Sequence, residues 1–398
     1  MGGILFLGGG STVTIAQRMF EGMNSFALLA IPLYTFAGFT MSKGGISKRL
    51  MDFCYSIVGH IYGGLAHVNV LSSMIFAGIS GSAVADTAGV SGMFMPEMVR
   101  KGYSKNFTVA VTAISSTIGI IIPPSIPMVV IAGICGISTG KLFLGGIIPG
   151  VLCGLAQMIV SYFMAKKEGV PKEPGHFTIG PVLHGLWESW PALLMPIIIV
   201  GTITMGIVSP TEAGVIAVVY GLFAGGIIYR ELKWEDIKFA FAETVRTSGR
   251  IFIVIGAAKL YTVMLTTAGF DKWVAKTMLG FSTNPTVILI VILLIFFIVT
   301  MFMESIATLT LFMPILYPIA LGVGINPIVL SVLITVVIGV GLVTPPVGMC
   351  IYVACDLMDV TVGEVFPTLV PFIAATFVCI ALMVAFPQLI LLPTYLMA

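Results

Sequence analysis

Two proline pairs stand inside long apolar stretches: Ile120–Pro127 reads Ile-Ile-Ile-Pro-Pro-Ser-Ile-Pro, and Val343-Thr344-Pro345-Pro346-Val347-Gly348 lies further on. Proline lacks an N–H and its ring clashes with the preceding turn, so Pro123-Pro124 and Pro345-Pro346 must break any helix that reaches them. Ser80-Gly81-Ser82 and Met303-Glu304-Ser305 interrupt two other apolar runs. Each break frees carbonyls and amides from helical partners. At membrane depth such backbone is tolerated only where protein or a wet cavity covers it, so each break is a place to hold something polar. Carbonyl ends suit a hard cation such as Na⁺, and amide ends suit an anion such as a carboxylate. The small hydroxyl residues in the breaks add oxygen ligands without bulk, and the glycines let a ligand approach the main chain.

Two acids lie near these breaks, Asp86 and Glu304. An ionisable group inside a membrane is costly and marks a functional site unless something local explains it. For Asp86 the local explanation is a cap on the following helix. Glu304 lies in its break, where cation coupling and bracing of the tip are the two roles open to it. Lys259 has no such company and reads as a snorkelling or scaffold-pairing side chain. Gly78-Ile79-Ser80-Gly81 also has the G-x-S-G pattern of an intramembrane serine protease. That chemistry needs a histidine on a neighbouring helix. His60 and His67 precede Ser80 on its own arm, and His176 and His184 fall in a linker, so Ser80 lacks a base.

The elements that carry these residues are set by composition. Of 398 residues, 58% are hydrophobic and 9% charged, against about 25% charged in soluble domains. Runs such as Pro285–Phe302 and Phe366–Leu392 suffice to cross the hydrocarbon layer, which takes roughly 20 residues. The chain is therefore an all-α polytopic protein of the lipid bilayer; a β-barrel would show short alternating segments instead. The net charge of +2 carries no message about nucleic acid. Six scattered cysteines without metal-ligand spacing read as buried small hydrophobes.

In order, Ala16–Asn24 reads as a polar break, Ser25–Met41 as a helix and Leu50–Tyr62 as an amphipathic interfacial segment. Gly64–Ile79 and Ala83–Val99 form a helix–break–helix hairpin, followed by the broken helix Phe107–Ile134 and the span Leu142–Ala165. Lys166–Ser189 is the linker between halves. Trp190–Val208 and Ala213–Tyr229 make a helical pair, Arg230–Asp236 a loop, Ser248–Thr266 a helix and Asp271–Lys276 an amphipathic stretch. Pro285–Phe302 and Ile306–Leu321 form a second hairpin, Ile328–Cys355 a second broken helix, and Phe366–Leu391 the last span.

The two halves repeat at an offset of 222 residues: Pro96, Pro123, Pro124 and Pro149 meet Pro318, Pro345, Pro346 and Pro371, while Gly102 and Gly119 meet Gly324 and Gly341. With proline at about 5% of residues, chance yields well under one proline match, so the halves read as a duplication. Lys43, Lys48, Arg49, Arg100, Lys101 and Lys105 flank the first hairpin, whereas no Lys or Arg follows Lys276. By the positive-inside rule the first hairpin enters from the cytoplasm and the second from outside. Inverted repeats with paired interrupted helices are the architecture of secondary transporters, which bind substrate and ions at the midplane. An ion channel would need a continuous polar pore instead.

Gly78–Gly89 (GISGSAVADTAG), Gly102-Tyr103, Ile121–Ser125 (IIPPS), Phe143–Gly150 (FLGGIIPG), Ser209–Gly214 (SPTEAG) and Leu342–Gly348 (LVTPPVG) together resemble the large membrane subunit of the tripartite ATP-independent periplasmic (TRAP) transporters of C4-dicarboxylates and sialic acid. The resemblance runs from about Ile15 to the C-terminus. It implies an inverted-repeat elevator in the bacterial inner membrane, with two re-entrant hairpins and two broken transmembrane helices, importing a small organic acid with Na⁺ as coupling ion and no other cofactor. Its transport domain would comprise residues 64–140 and 285–360, with residues 1–63, 141–284 and 361–398 as scaffold, linker and arms. Matched motif by motif, one Na⁺ site would use Ser80, Gly81, Ser82, Pro123, Pro124 and Ser125. The other would use Met303, Glu304, Ser305, Thr344, Pro345, Val347 and Gly348. Substrate would meet Ser82, Asp86, Ser125, Ser305 and Pro346. The implied partners are a small four-helix membrane subunit and a periplasmic binding protein that delivers the organic anion. A stand-alone organic anion transporter driven by Na⁺ or H⁺ is the alternative. The chain departs from the family at two points. Only the tail of the family's opening helix is represented (Met1–Thr14), as a truncated start or with the remainder in sequence beyond this chain, and Glu304 stands where an aspartate is common.

Overall fold

The structure, a computed structural model, describes residues 12–170 and 178–397. The apolar N-terminal stretch to residue 11 and linker residues 171–177, His176 included, lie outside the described residues.

The elements are helices throughout: α1 (Thr12–Met23), α2 (Ala30–Lys43), α3 (Ile46–Val58), α4 (Gly64–Ser80), α5 (Ala83–Arg100), α6 (Lys105–Ser116), α7 (Ile126–Cys135), α8 (Thr139–Lys167) and α9 (Ile179–Thr204). They continue with α10 (Pro210–Phe223), α11 (Trp234–Thr267), α12 (Phe270–Phe281), α13 (Pro285–Thr300), α14 (Ser305–Gly322), α15 (Pro327–Gly341), α16 (Met349–Met358), α17 (Val362–Ala385) and the short α18 (Gln388–Leu391). Among the described residues seven helical segments are long and apolar enough to cross a membrane. Their outer faces carry exposed Leu155, Ile159 and Phe163 on α8 and Val215, Val219 and Phe223 on α10, the pattern expected where lipid is the solvent.

The helix boundaries follow the repeat. Shifted by 222 positions, α5 coincides with α14 residue for residue, α6 begins where α15 begins, and α7 falls one residue ahead of α16. Both hairpins and both broken helices lie where the proline and serine patterns predict them. Start signals are built in: Ser104 caps α6 by accepting from the Phe107 amide (3.1 Å), and Asn326 caps α15 by accepting from Ile328 N (2.9 Å). Ser209 and Glu212 form a capping box at α10.

Three expectations are corrected. Ala16–Asn24 is no break, because α1 covers all of it but Asn24. Its polar residues occupy one face, where Arg18 pairs with Glu21 at 2.9 Å, while Gly22 packs tightly on the Lys259 stem. The helix expected at Ser248–Thr266 is longer: α11 begins at Trp234 and runs 34 residues, so the loop expected at Arg230–Asp236 is confined to Arg230–Lys233. Ala240, Thr244, Ser248, Ile255 and Ala258 form a buried stripe along it, so the part ahead of Ser248 is an amphipathic helical extension. α11 starts where the shifted α1 would start and ends near the shifted end of α2. One copy breaks at extended Ser25 what the other keeps continuous. The linker is also shorter than Lys166–Ser189, since α9 begins at Ile179 and Gly185 packs against Phe53 of α3.

Polar and small residues fasten the hairpins to the broken helices. Between α4 and α6 the Asn69 amide donates to Thr112 Oγ1 (2.7 Å), and the Ser115 hydroxyl donates to Asn69 Oδ1 (3.1 Å). Ser73 joins Ser115 at 3.1 Å. Between α13 and α15, Gly341 meets Thr300 so closely that a Cβ on the glycine would lie 2.7 Å from the Thr300 Cβ. In lipid, where apolar surfaces gain little by meeting, both are working forms of helix adhesion. α8 and α17 pack along each other and on the broken helices α6 and α15.

Candidate functional site

At the first tip α4 ends at Ser80, Gly81 turns the chain at φ +64°, and Ser82 caps α5, its Oγ accepting from the Ala85 amide (3.4 Å). The tip is bonded to the first proline break: Ile126 N donates to Gly81 O at 3.2 Å. A Cβ on Gly81 would lie 2.7 Å from Pro124 O, so both the left-handed turn and the backbone contact call for glycine. Pro124 cannot donate to the Ile120 carbonyl four residues back. The Ser125 hydroxyl donates to that carbonyl instead, and its oxygen accepts from Met128 N (3.3 Å) to start α7. The Pro123–Pro124 and Pro345–Pro346 peptide bonds are both cis.

The second tip repeats the plan with other atoms. Val347 N donates to Met301 O at 2.9 Å, joining tip to break. Pro346 leaves the Leu342 carbonyl without its helical donor, and Cys350 N supplies one at 3.0 Å. Thr344 Oγ1 donates to Val340 O (2.7 Å), and Gly348 (φ +42°) starts α16. The Glu304 carboxylate is taken up by its own helix: it accepts from Ile306 N (2.7 Å) and Ala307 N (3.3 Å), and from the Ser305 hydroxyl.

Asp86 does not cap α5, because Ser82 does. Its carboxyl lies behind the tip, where Oδ1 accepts a hydrogen bond from Ser80 and Oδ2 lies against Gly119, leaving no room there for a Cβ. The two units also meet directly: α16, which follows the second break, packs against α5 of the first hairpin. Gly339 of α15 faces Thr117 beside the first break, 3.2 Å from a Cβ built on the glycine.

The geometry thus brings Ser80, Gly81 and Ser82 to Pro124 and Ser125, and the second tip to Val347. It turns the Glu304 carboxylate away from the second break into a cap. Pro346 and Val347 are exposed, whereas Pro123, Pro124 and Ser125 are buried. Sequence reasoning missed Met301, whose carbonyl makes the tip contact expected nearer Met303, and it missed Gly119 and Cys350 as site neighbours. The pairing of Gly119 with Gly341 under the 222-residue shift was a signal for the first of these. Lys259 is exposed with its stem on Gly22, as a snorkelling residue would be. All six cysteines are free, and all but Cys135 are buried.

Residues 2–389 match the family profile described as "Tripartite ATP-independent periplasmic transporter, DctM component". The chain belongs to the TRAP transporter large permease family. It is 36% identical over 377 residues to the sialic acid TRAP transporter large permease protein SiaM of Vibrio cholerae, covering 95% of this chain and 88% of that one. It is 34% identical over 394 residues to the C4-dicarboxylate TRAP transporter large permease protein DctM of Pseudomonas aeruginosa, covering 99% and 92%. It is also 36% identical over 360 residues to the isethionate TRAP transporter permease protein DctMQ of Oleidesulfovibrio alaskensis, where it covers 90% of its own length but spans only 57% of that relative. Among solved structures, the YdaH transporter of Alcanivorax borkumensis has the same fold, with a TM-score of 0.63 at 14% identity over 94% of this chain and 87% of that one. The TRAP permease is therefore a multi-pass protein of the bacterial inner membrane and belongs with transporters, not with the intramembrane proteases that G-x-S-G at Ser80 suggested.

Proposed function

We propose that this TRAP permease imports a small organic anion on the Na⁺ gradient by moving a transport body across the bilayer. The observation that carries the reading is the doubled joint, Gly81 O to Ile126 N and Met301 O to Val347 N, in which each hairpin tip is bonded to a proline break. At such joints unwound carbonyls, with Ser80, Ser82 and Ser125 hydroxyls at the first and Ser305 and Thr344 at the second, serve a desolvated Na⁺. The amide end of α5 favours an anion at the first tip, whereas that of α14 already carries the Glu304 carboxylate.

The inverted orientation of the two copies, argued from the lysine and arginine asymmetry, makes one hairpin open toward each side. Residues 64–140 and 285–360 form the moving body. The packing of α8 and α17 on α6 and α15 supports carrying those two helices with it. Relatives named for sialic acid, C4-dicarboxylates and isethionate share a small substrate with an anionic carboxylate or sulfonate group, and this class is assigned here. A small four-helix membrane subunit and a periplasmic binding protein complete the system.

The test is uptake of a radiolabelled carboxylate and sulfonate panel into proteoliposomes holding the permease and its small subunit, with binding protein outside. Uptake of one panel member that needs both an inward Na⁺ gradient and the binding protein is expected. Equal uptake with K⁺ replacing Na⁺ would overturn the coupling, and full uptake without the binding protein would favour a stand-alone carrier.

A further inference from the structure

Two short helices serve as links: α3 joins α2 to the first hairpin, and α12 joins α11 to the second. A carrier that moves one body past another must bend at such links. The start of α3 is clamped. Arg49 Nη2 meets Glu231 Oε1 at 2.7 Å, Nη1 donates to Gly45 O at 2.9 Å, and the guanidinium carbon lies 4.2 Å from the centroid of the Tyr229 ring. The Tyr229 hydroxyl donates to Glu188 O (3.0 Å) and Ser189 Oγ donates to Arg49 O (2.9 Å), which draws α9 into the same knot. Gly45 turns at φ +77°, and a Cβ on its neighbour Gly44 would lie 2.9 Å from Gly225 Cα in the wide helical turn Ala224–Ile228. A Gly-Gly pair that could have been a hinge is thus pressed shut. Beyond it α3 packs along α9. Its far end is again rich in glycine, with Gly59, Gly63 at φ +72° and Gly64.

The second link is built the other way. Asp271 takes the place of Arg49 under the 222-residue shift, and its Oδ1 has no hydrogen-bond partner. At the joint of α11 and α12 a Cβ on Gly269 (φ +73°) would meet nothing within 4 Å. α12 packs on α14 of its own hairpin.

We propose that Arg49 is a positioning residue that makes α3 part of the fixed frame, so that the first link bends at Gly59–Gly64, whereas the second bends at Gly269 and α12 travels with its hairpin. The inference rests on the moving-body reading above. A lone, partly exposed ion pair would hold little. Here one planar guanidinium bonds Glu231 and the Gly45 carbonyl while stacked on Tyr229, a set of contacts that lysine does not reproduce. The packing of α3 on α4 is then the contact that changes as the body travels. One anchored link gives that travel a defined pivot, which two loose links would lack.

The experiment uses disulfide tethers in otherwise cysteine-free permease, assembled with its small subunit in proteoliposomes and supplied with loaded binding protein. Its readout is uptake of the panel member that these vesicles accumulate. Phe53→Cys with Gly185→Cys ties α3 to α9, where a Cβ on Gly185 lies 3.5 Å from the Phe53 Cβ, within the span a disulfide bridges. Ala27→Cys with Gly133→Cys ties the short turn Phe26–Leu29 of the frame to α7 of the body, with 3.9 Å between the corresponding atoms. Oxidising the first pair should leave uptake within about twofold of its reduced form, and oxidising the second should lower it more than about tenfold. Arg49→Ala should slow uptake by about tenfold, Arg49→Lys should recover only part of that, and the α3–α9 tether should restore Arg49→Ala on oxidation and lose the gain on reduction. Arrest by the α3–α9 tether, wild-type uptake in Arg49→Ala, or no restoration of Arg49→Ala by the tether would overturn the inference and leave the moving body standing. Undiminished uptake with Ala27→Cys and Gly133→Cys joined would overturn the moving body, and the inference with it.

Discussion

The two hairpin–break units are built on one plan and finished with different chemistry. In the first, Asn69, Ser73, Thr112 and Ser115 fasten hairpin to broken helix by hydrogen bonds. Their shifted counterparts are Val291, Ile295, Ile334 and Val337, and the second unit relies on the Gly341–Thr300 contact. The first tip turns on a glycine, seals its prolines and hides an acid. The second turns through Met301–Met303, exposes Pro346 and Val347, and spends its acid on a helix N-terminus. A duplicated backbone therefore keeps the breaks, which prolines enforce in both copies, while side chains are free to divide the work. Both joints are hydrogen-bonded, but the first is buried around Pro123, Pro124 and Ser125 whereas the second leaves Pro346 and Val347 exposed.

The largest difference should appear at the turn. Gly81→Ala forces a left-handed φ on an L residue and drives its Cβ against Pro124 O, which costs about 1–3 kcal/mol and should lower Na⁺-driven uptake by about ten- to a hundredfold. Met303→Ala, at the shifted position, should stay within about twofold of wild type. Next come the fasteners. Val291→Asn places an amide at a half-buried position without a partner and should cost up to about 1 kcal/mol in denaturant-monitored stability, whereas Asn69→Val should cost about 1–2 kcal/mol, because it strips Thr112 and Ser115 of their partner. Equal and negligible effects at both positions would mean that the polar zipper does not hold the first unit together. Glu304→Ala removes a cap and should lower stability by about 1 kcal/mol, with Glu304→Gln recovering most of it. The smallest perturbation is a labelling pair in otherwise cysteine-free protein. Val347→Cys, at a position 39% exposed, should react with a hydrophilic maleimide about tenfold faster than Ser125→Cys, whose native side chain is buried. Equal rates would remove the distinction between a buried and an exposed break.

Much of this was legible in the sequence because its strongest signals are backbone signals. Proline pairs in apolar runs have one consequence, and the 222-residue repeat of Pro96, Pro123, Pro124 and Pro149 located hairpins and breaks to within a few residues. Less legible were segments whose polarity is one-sided. Ala16–Asn24 and the start of α11 at Trp234–Asp236 carry enough charge to suggest loops, yet both are helical and α1 packs on α11. Which atoms of the tips are spent locally was also hidden. Whether Glu304 reaches across to the break or back to its own amides depends on one side-chain rotation, and no spacing records it. Asp86 differs, since its place opposite Gly119 follows from two helices meeting, a tertiary fact that the sequence hinted at only through the Gly119–Gly341 pair.

In the proposed function, ion and anion occupy one enclosure made by both copies and cross together. Flux of ²²Na⁺ into proteoliposomes containing the permease, its small subunit and substrate-loaded binding protein tests it most directly. Sodium entry that begins only when substrate is supplied, and stays in fixed proportion to it, is the predicted result. Substrate accumulation with no accompanying ²²Na⁺, or sodium entry indifferent to substrate, would contradict it.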